Sequence, residues 1–456
     1  MKSTNKKAYW WVPTLYFAEA LPYVAVMTIA GIMFKKMGLS NEDATYYTAW
    51  FYLPWVIKPI WSPIVDALRT KRWWILTMQF IMGVAFASIA FTLPFGFWLQ
   101  SCIALFWLMA FSSATHDIAA DGFYILALDS HDQAFYVGIR STFYRIATLV
   151  GQGLLVMLAG WVEKGMPLGT GDDATHLCEP GRIAFSWAVT FYVMAFLFLA
   201  LWAYHRFALP KVEKQDELAA ESSAAMQREA VTFRQVLHDT LKSFAATVKI
   251  FFSKQQIVAA LLFMLLFRFP EALLVNIVKF FMLDPAEAGG LGLDTETVGL
   301  AYGTIGMIGL TLGGLLGGFL VAKDGLKRWL WPMVLSISVP DAVYIYLSFF
   351  PGSDIWLVDA CVFLEQFGYG FGFTAYMLYL IYFARGEQST SVYALCTAFM
   401  ALGMMLPGMV AGKLADLMGY QMFFIVTFIC CAITFLVSAF LKIDPQFGKK
   451  EDAKKE

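Results

Sequence analysis

Charge is scarce in this sequence. Of 456 residues only 15% are Asp, Glu, Lys or Arg, and 33 basic side chains nearly cancel 34 acidic ones. Without a basic excess there is no electrostatic footprint for nucleic acid. Cysteine is sparse too: Cys102, Cys361, Cys396, Cys430 and Cys431 lie in apolar runs, and Cys178 alone sits in a polar loop. One loop cysteine cannot close an internal disulfide, and no cysteine pair has zinc-ligand spacing with histidines nearby, so no metal is expected. Also missing are His-Glu-x-x-His, Gly-x-Ser-x-Gly and P-loop sequences, which leaves hydrolysis and ATP drive without residues. Neither an enzyme nor a cofactor is expected.

What the chain has is hydrocarbon. Hydrophobic residues make up 59% and aromatics 17%, including 42 Phe and 15 Trp, and the mean hydropathy is +0.63. A soluble fold cannot hide that much, while disorder, collagen and coiled coil are all aromatic-poor. The solvent is therefore a lipid bilayer. The basic start, Met1 to Lys7, leads into an apolar stretch of about 25 residues with no small-residue cleavage site, which predicts a retained first span rather than a signal peptide.

Apolar stretches of spanning length fall near 9–34, 45–66, 73–94, 97–128, 134–161, 183–207, 255–283, 296–322, 329–350, 354–384, 389–412 and 419–441, numbered here as spans 1 to 12. The expected class is an all-α integral membrane protein. Basic residues collect after span 2 (Arg69, Lys71, Arg72), in the middle loop, after span 8 (Lys327, Arg328) and at the C-terminus. Acidic residues collect after span 7 (Asp284, Glu287, Asp294, Glu296) and after span 5 (Asp172, Asp173, Glu179). This asymmetry predicts that both termini are cytoplasmic.

The middle loop divides the spans into two sets of six: 1–207, a linker at 208–254, 255–442, and a charged tail at 443–456. Within the linker, Phe233, Leu237, Leu241, Phe244 and Val248 fall at helical spacing, as in a helix lying on the membrane surface. The two sets repeat one another. Glu19-Ala20-Leu21 matches Glu271-Ala272-Leu273 at an offset of 252, which also aligns Gly151 with Gly403 and Ala159-Gly160 with Ala411-Gly412. Two related six-helix halves describe a secondary transporter with its solute site near the bilayer midplane.

Ten ionisable residues fall inside the spans: Glu19, Lys58, Asp117, Asp121, Arg145, Arg268, Glu271, Lys279, Asp341 and Glu365. Facing lipid, each would cost about 2.5–3.5 kcal/mol, so they are expected to face a cavity or one another. At 100° per residue they gather into stripes: Tyr16, Glu19 and Tyr23 in span 1; Ser113, Asp117, Asp121 and Tyr124 in span 4; Ser141, Arg145, Thr148 and Gln152 in span 5; Arg268, Glu271 and Lys279 in span 7; Glu365, Tyr369, Tyr376 and Tyr379 in span 10. Glu19, Asp117, Asp121, Glu271 and Glu365 are the expected proton-coupling acids, because a carboxyl in an apolar cavity can take up and release a proton. Lys58, Arg145, Arg268 and Lys279 are expected to receive solute carboxylates, and Tyr23, Tyr124, Tyr369 and Tyr376 to contact the solute. The plainer alternatives are Asp117 paired with Arg145, and Glu271 with Arg268, as packing devices. His116 is either a core histidine or part of a proton relay. The glycines of span 8 (Gly299, Gly303, Gly309, Gly313, Gly317) fit helix packing.

The segment Ser62-Pro63-Ile64-Val65-Asp66…Arg69…Lys71-Arg72 resembles the loop 2–3 signature of the major facilitator superfamily, with a partial copy at Gly318…Asp324…Lys327-Arg328. The resemblance implies a charge latch made of Asp66, Arg69, Arg72, Asp324 and Arg328. The usual leading glycine is Ser62 here, and the segment is a residue or two short. Lys58-Pro59-Ile60-Trp61-Ser62-Pro63, Ser112-Ser113-Ala114-Thr115-His116-Asp117-Ile118 with Asp121, Tyr144-Arg145, Leu266-Phe267-Arg268 and Phe363-Leu364-Glu365 are similar to the AmpG-like muropeptide permeases, whose neighbours include the acetyl-CoA transporters. Glu19 departs from that pattern, which has a small residue there.

That resemblance implies a proton-coupled importer of anhydromuropeptides, or related cell-wall amino sugars, in a bacterial inner membrane, working as a monomer with solute, protons and the bilayer as its partners. Lys58, Asp117, Asp121, Arg145 and Glu365 are the positions that carry over. Other solutes, such as an acyl-coenzyme or a siderophore, stay open, as does a transporter-derived sensor signalling through residues 208–254.

Overall fold

The computed structural model describes residues 6–128, 130–168, 175–211, 233–386 and 388–448; some side chains inside helices, that of Asp66 included, also fall outside the described residues. Among the described residues the regular structure is helical apart from a two-residue antiparallel ladder pairing Pro167–Leu168 with Thr175–His176. Among the described residues ten helices are long and apolar enough to cross a bilayer. One of them, Ser389–Ala439, holds 51 residues, far beyond the ~20 that a bilayer needs. It is broken at Gly419, where φ is 73°, a positive-φ conformation that glycine adopts without a Cβ clash; spans 11 and 12 are the two pieces on either side. Span 2 is likewise divided into Asn41–Trp50 and Leu53–Leu68. Pro54, with no N–H to donate, is tolerated in the first turn of the second piece but could not continue the first. Helical segments occupy each of the twelve expected stretches.

Local chemistry sets where the helices start and bend. Ser40 Oγ accepts the Asp43 N–H at 3.0 Å, and Thr70 Oγ accepts that of Trp73 at 3.1 Å; each satisfies a donor with no intrahelical partner. Span 1 carries Pro22 in its interior and continues as a π-helical turn over Ala25–Ile29. Span 5 has a second such turn at Val150–Leu155, and span 8 a third at Gly299–Gly306. Turns of this kind are frequent at functional sites.

The chain forms two compact units. Unit 1 comprises residues 1–27, 57–151 and 162–248, and unit 2 comprises 28–56, 152–161 and 249–456. In spans 1 and 5 the chain passes from one unit to the other inside a π-helical turn. Beyond span 6, residues 212–232 of the expected linker lie outside the described residues, and a helix runs from Phe233 to Phe252.

Within unit 2, the pieces from the first half of the chain are held by charge and by close backbone approach. Lys35 Nζ lies 2.8 Å from Asp284 Oδ2, whose carboxylate also accepts the Tyr420 hydroxyl at 2.5 Å. Tyr420 in turn accepts from Asn41 Nδ2 at 3.0 Å. The span 8 glycines divide between two neighbours. A Cβ on Gly303 would sit 2.0 Å from the Gln152 carbonyl in span 5, whereas one on Gly313 would sit 2.1 Å from the Phe367 carbonyl in span 10. Gly318, on the other side of the same helix, has open space.

Gly313→Ala should therefore lower the thermal-unfolding midpoint in detergent, reflecting an overpacking cost of about 1–3 kcal/mol. Gly318→Ala should leave it unchanged or raise it slightly, and equal effects at the two sites would contradict the packing described.

Candidate functional site

Unit 1 gathers its charges at one point. The span 4 helix Trp98–Ala127 presents Asp117 and Asp121, one turn apart, toward Glu19 of the helix Val12–Val24. Carboxylate oxygens of all three lie within 4.8 Å of one another. Like charges this close need counter-charges. Lys58 Nζ, from Leu53–Leu68, is ion-paired and hydrogen-bonded to Asp117 Oδ2. Arg140 Nη2, from Ser130–Leu149, lies 2.9 Å from Asp121 Oδ1, which also accepts the Tyr16 hydroxyl at 3.1 Å. The Arg140 guanidinium sits 4.4 Å from the Tyr16 ring centre and 5.4 Å from that of Tyr124, a cation–π arrangement that keeps it planar against the aromatics. The Tyr124 hydroxyl itself donates to the Gln133 carbonyl at 2.5 Å.

Unit 2 builds a second set. Arg268 donates to the Tyr369 hydroxyl, with its guanidinium 4.8 Å from the Phe373 ring centre. Glu271 is buried one turn further along span 7, a charge neighbour of Arg268 and Lys279. Lys279 is 1% exposed; among the described residues its Nζ has no hydrogen-bond partner, and it lies 5.3 Å from the Tyr302 ring centre. Glu365 accepts the Tyr344 hydroxyl at 2.8 Å and the Gln366 amide at 2.9 Å, and the same amide reaches the Tyr302 hydroxyl at 3.1 Å. Asp341 is buried with the Cys431 thiol 3.5 Å from its Oδ2.

The other expected residues sit as follows. Arg145 is half-buried on the same helix as Arg140, but five positions are about 140° of rotation, so the two point apart; the ion pair seen at Asp117 is with Lys58. Tyr23 is half-buried. Tyr376 is fully buried and stacked against Phe263 and Phe267, and its hydroxyl donates to the Met264 carbonyl at 2.6 Å. Of the latch residues, the Asp66 side chain lies outside the described residues. Arg69 is exposed, its guanidinium 5.8 Å from the Trp73 ring centre. Arg72 donates to the carbonyls of Arg206 at 2.6 Å and Leu209 at 3.2 Å, capping the orphan acceptors at the end of span 6. Asp324 and Arg328 are 3.2 Å apart, with the Trp329 indole N–H 3.0 Å from the same carboxylate.

Sequence reasoning passed over Arg140, because a basic residue close to the loop end of a span ordinarily extends its head into the interface. His116 proves to be part of a buried core network. Its Nε2 lies 3.0 Å from the Gln79 amide nitrogen, the Gln79 oxygen lies 2.9 Å from His205 Nδ1, and His205 Nε2 lies 2.9 Å from Thr14 Oγ1.

Long apolar helices that bury acids against bases are features of proteins that move polar solutes, and the protein is a multi-pass membrane transporter. The chain belongs to the Major Facilitator Superfamily, whose sequence profile matches residues 14–394 and 272–456. It is 24% identical over 423 residues to the anhydromuropeptide permease of Escherichia coli K12, covering 90% of this chain and 75% of that protein. It is also 24% identical over 428 residues to the putative transporter AmpG 4 of Rickettsia conorii, covering 91% and 92%. The fold is shared with the nucleoside transporter NupG (TM-score 0.66, 16% identity, 97% of this chain and 100% of that one). It is shared as well with a D-xylose-proton symporter (TM-score 0.64, 13% identity, 97% and 98%).

If the ion pair at Asp117 is as described, Lys58→Met should destabilise the protein more than the double variant Lys58→Met/Asp117→Asn does. A double-mutant cycle in thermal unfolding should give a coupling of about 1–3 kcal/mol, and additive effects would contradict the pairing.

Proposed function

We propose that this chain imports anhydromuropeptides, or related cell-wall amino sugars, across a bacterial inner membrane together with protons. The observation that carries the reading is the unit 1 cluster, where three carboxylates and two bases converge inside a membrane bundle. The solute class rests on the relative from Escherichia coli K12 that bears the permease name and aligns over 90% of this chain. A muropeptide offers lactyl and peptide carboxylates, which suit Lys58, Arg145, Arg268 and Lys279, and sugar rings, which suit Tyr23, Tyr124 and Tyr369. Coenzyme A would want more positive charge for its phosphates than these four bases supply.

In this reading the basic loops face the cytoplasm together with both termini. The halves at 1–207 and 255–442 are the two six-helix bundles, and the coupling proton is carried within the set Glu19, Asp117, Asp121, Glu271 and Glu365. Asp324 and Arg328, with Asp66, Arg69 and Arg72, form the cytoplasmic latch. The linker helix lies against the membrane surface, and the protein works as a monomer.

The test is uptake of labelled N-acetylglucosaminyl-1,6-anhydro-N-acetylmuramyl tripeptide by liposomes holding the full chain. An inside-alkaline gradient should drive accumulation, by up to about tenfold per pH unit for each coupled proton, since one unit is worth about 1.4 kcal/mol. A protonophore should abolish it. Uptake that ignores the pH gradient would contradict the coupling, and uptake of an acyl-coenzyme or siderophore in its place would contradict the solute.

A further inference from the structure

Of the three carboxylates that cluster in unit 1, two are committed. Asp117 holds Lys58, and Asp121 holds Arg140 and the Tyr16 hydroxyl. Glu19 is different: it is 8% exposed, and among the described residues its Oε2 has no hydrogen-bond partner. Two bases against three acids leave one negative charge at the cluster, and the geometry leaves it on Glu19. A lone buried carboxylate is costly in hydrocarbon, and binding a proton removes the cost.

We infer that Glu19 is the residue that carries the coupling proton, while Asp117 and Asp121 stay ionised as the fixed partners of Lys58 and Arg140. The inference rests on the proton-coupling reading above and assigns it to one atom group. The proton joins a Glu19 carboxylate oxygen, forming an O–H bond, and leaves from it to water on the other side; no other bond changes. The titratable and charged groups that face Glu19 are Asp117 and Asp121 of span 4, Lys58 of span 2, Arg140 and Tyr144 of span 5, and Tyr16 of its own helix.

Three converging carboxylates also raise the case for a bound cation. A sodium or divalent ion asks for about six oxygen ligands. Here Asp117 and Asp121 already have ammonium and guanidinium partners, and a single excess negative charge is what one proton neutralises. The two bases favour the proton.

The experiment uses the full chain in liposomes with the same labelled muropeptide, read in two ways. Exchange with solute on both sides and no pH gradient gives each protein its own reference rate, and accumulation is expressed against it. Under an inside-alkaline gradient, Glu19→Gln should accumulate no more solute than it does without one. Glu19→Asp should restore accumulation with a displaced pH profile, which a packing role would not produce. Accumulation by Glu19→Gln that still follows the pH gradient, or wild-type accumulation that follows a sodium gradient instead, overturns the assignment.

If the wild type exchanges none of this solute, the solute reading fails while the proton assignment stands to be judged by infrared difference spectroscopy of the detergent-solubilised protein. One component of the protonated-carboxyl C=O absorption should be present in the wild type and missing from Glu19→Gln; identical absorption in the two proteins, or none in the wild type, overturns it. Matching thermal-unfolding midpoints for the two proteins establish that Glu19→Gln is folded.

Discussion

Charge placed in hydrocarbon must find an opposite charge or a proton, and the interior of this protein is arranged around that requirement. In unit 1 the requirement draws four stretches of chain together: Glu19 from span 1, Lys58 from span 2, Asp117 and Asp121 from span 4, and Arg140 from span 5. In unit 2 it sets Arg268 against Tyr369 and Glu365 against Tyr344 and Gln366. Both sets mix acid, base and tyrosine. Their members nevertheless stand at different places in the repeat: the offset of 252 that aligns Glu19 with Glu271 also aligns Asp117 with Tyr369 and Tyr16 with Arg268.

The framework is tight where it touches itself and looser at two of the points where the chain passes between the units. Carbonyls stand where a Cβ would fall on Gly303, Gly313 and Gly412, so the helices there approach to backbone contact, as small residues allow in membranes. Spans 1 and 5 instead change from one unit to the other in the π-helical turns Ala25–Ile29 and Val150–Leu155. A wider turn leaves carbonyls with looser partners and lets a helix bend without a break.

Much of this was legible in the sequence because period and sign are linear signals. The twelve apolar stretches announce the passes. The 100° spacing of Asp117, Asp121 and Tyr124 announces the face they share with Arg140 and Tyr16. The span 8 glycines announce packing, although which of them meets span 5 and which meets span 10 depends on the helix geometry. Arg140 was illegible because its place near a span end is where basic residues ordinarily snorkel. Periodicity places Tyr376 on one face with Glu365 and Tyr369, whereas its stacking against Phe263 and Phe267 joins residues far apart in the chain and leaves no local signal. The Thr14, His205, Gln79 and His116 network joins residues up to 191 positions apart, beyond the reach of any local pattern.

The central claim is that the costly polar stripes border water rather than lipid. Ser141 and Ile146 test it most directly. Both are exposed on span 5, and they face about 140° apart, with Ser141 on the stripe of Arg145 and Ile146 off it. With the native cysteines replaced, Ser141→Cys should react in liposomes with a membrane-impermeant charged thiol reagent, and muropeptide should slow the reaction, while Ile146→Cys should stay unlabelled. Equal labelling at the two positions, or none at Ser141→Cys, would contradict the account.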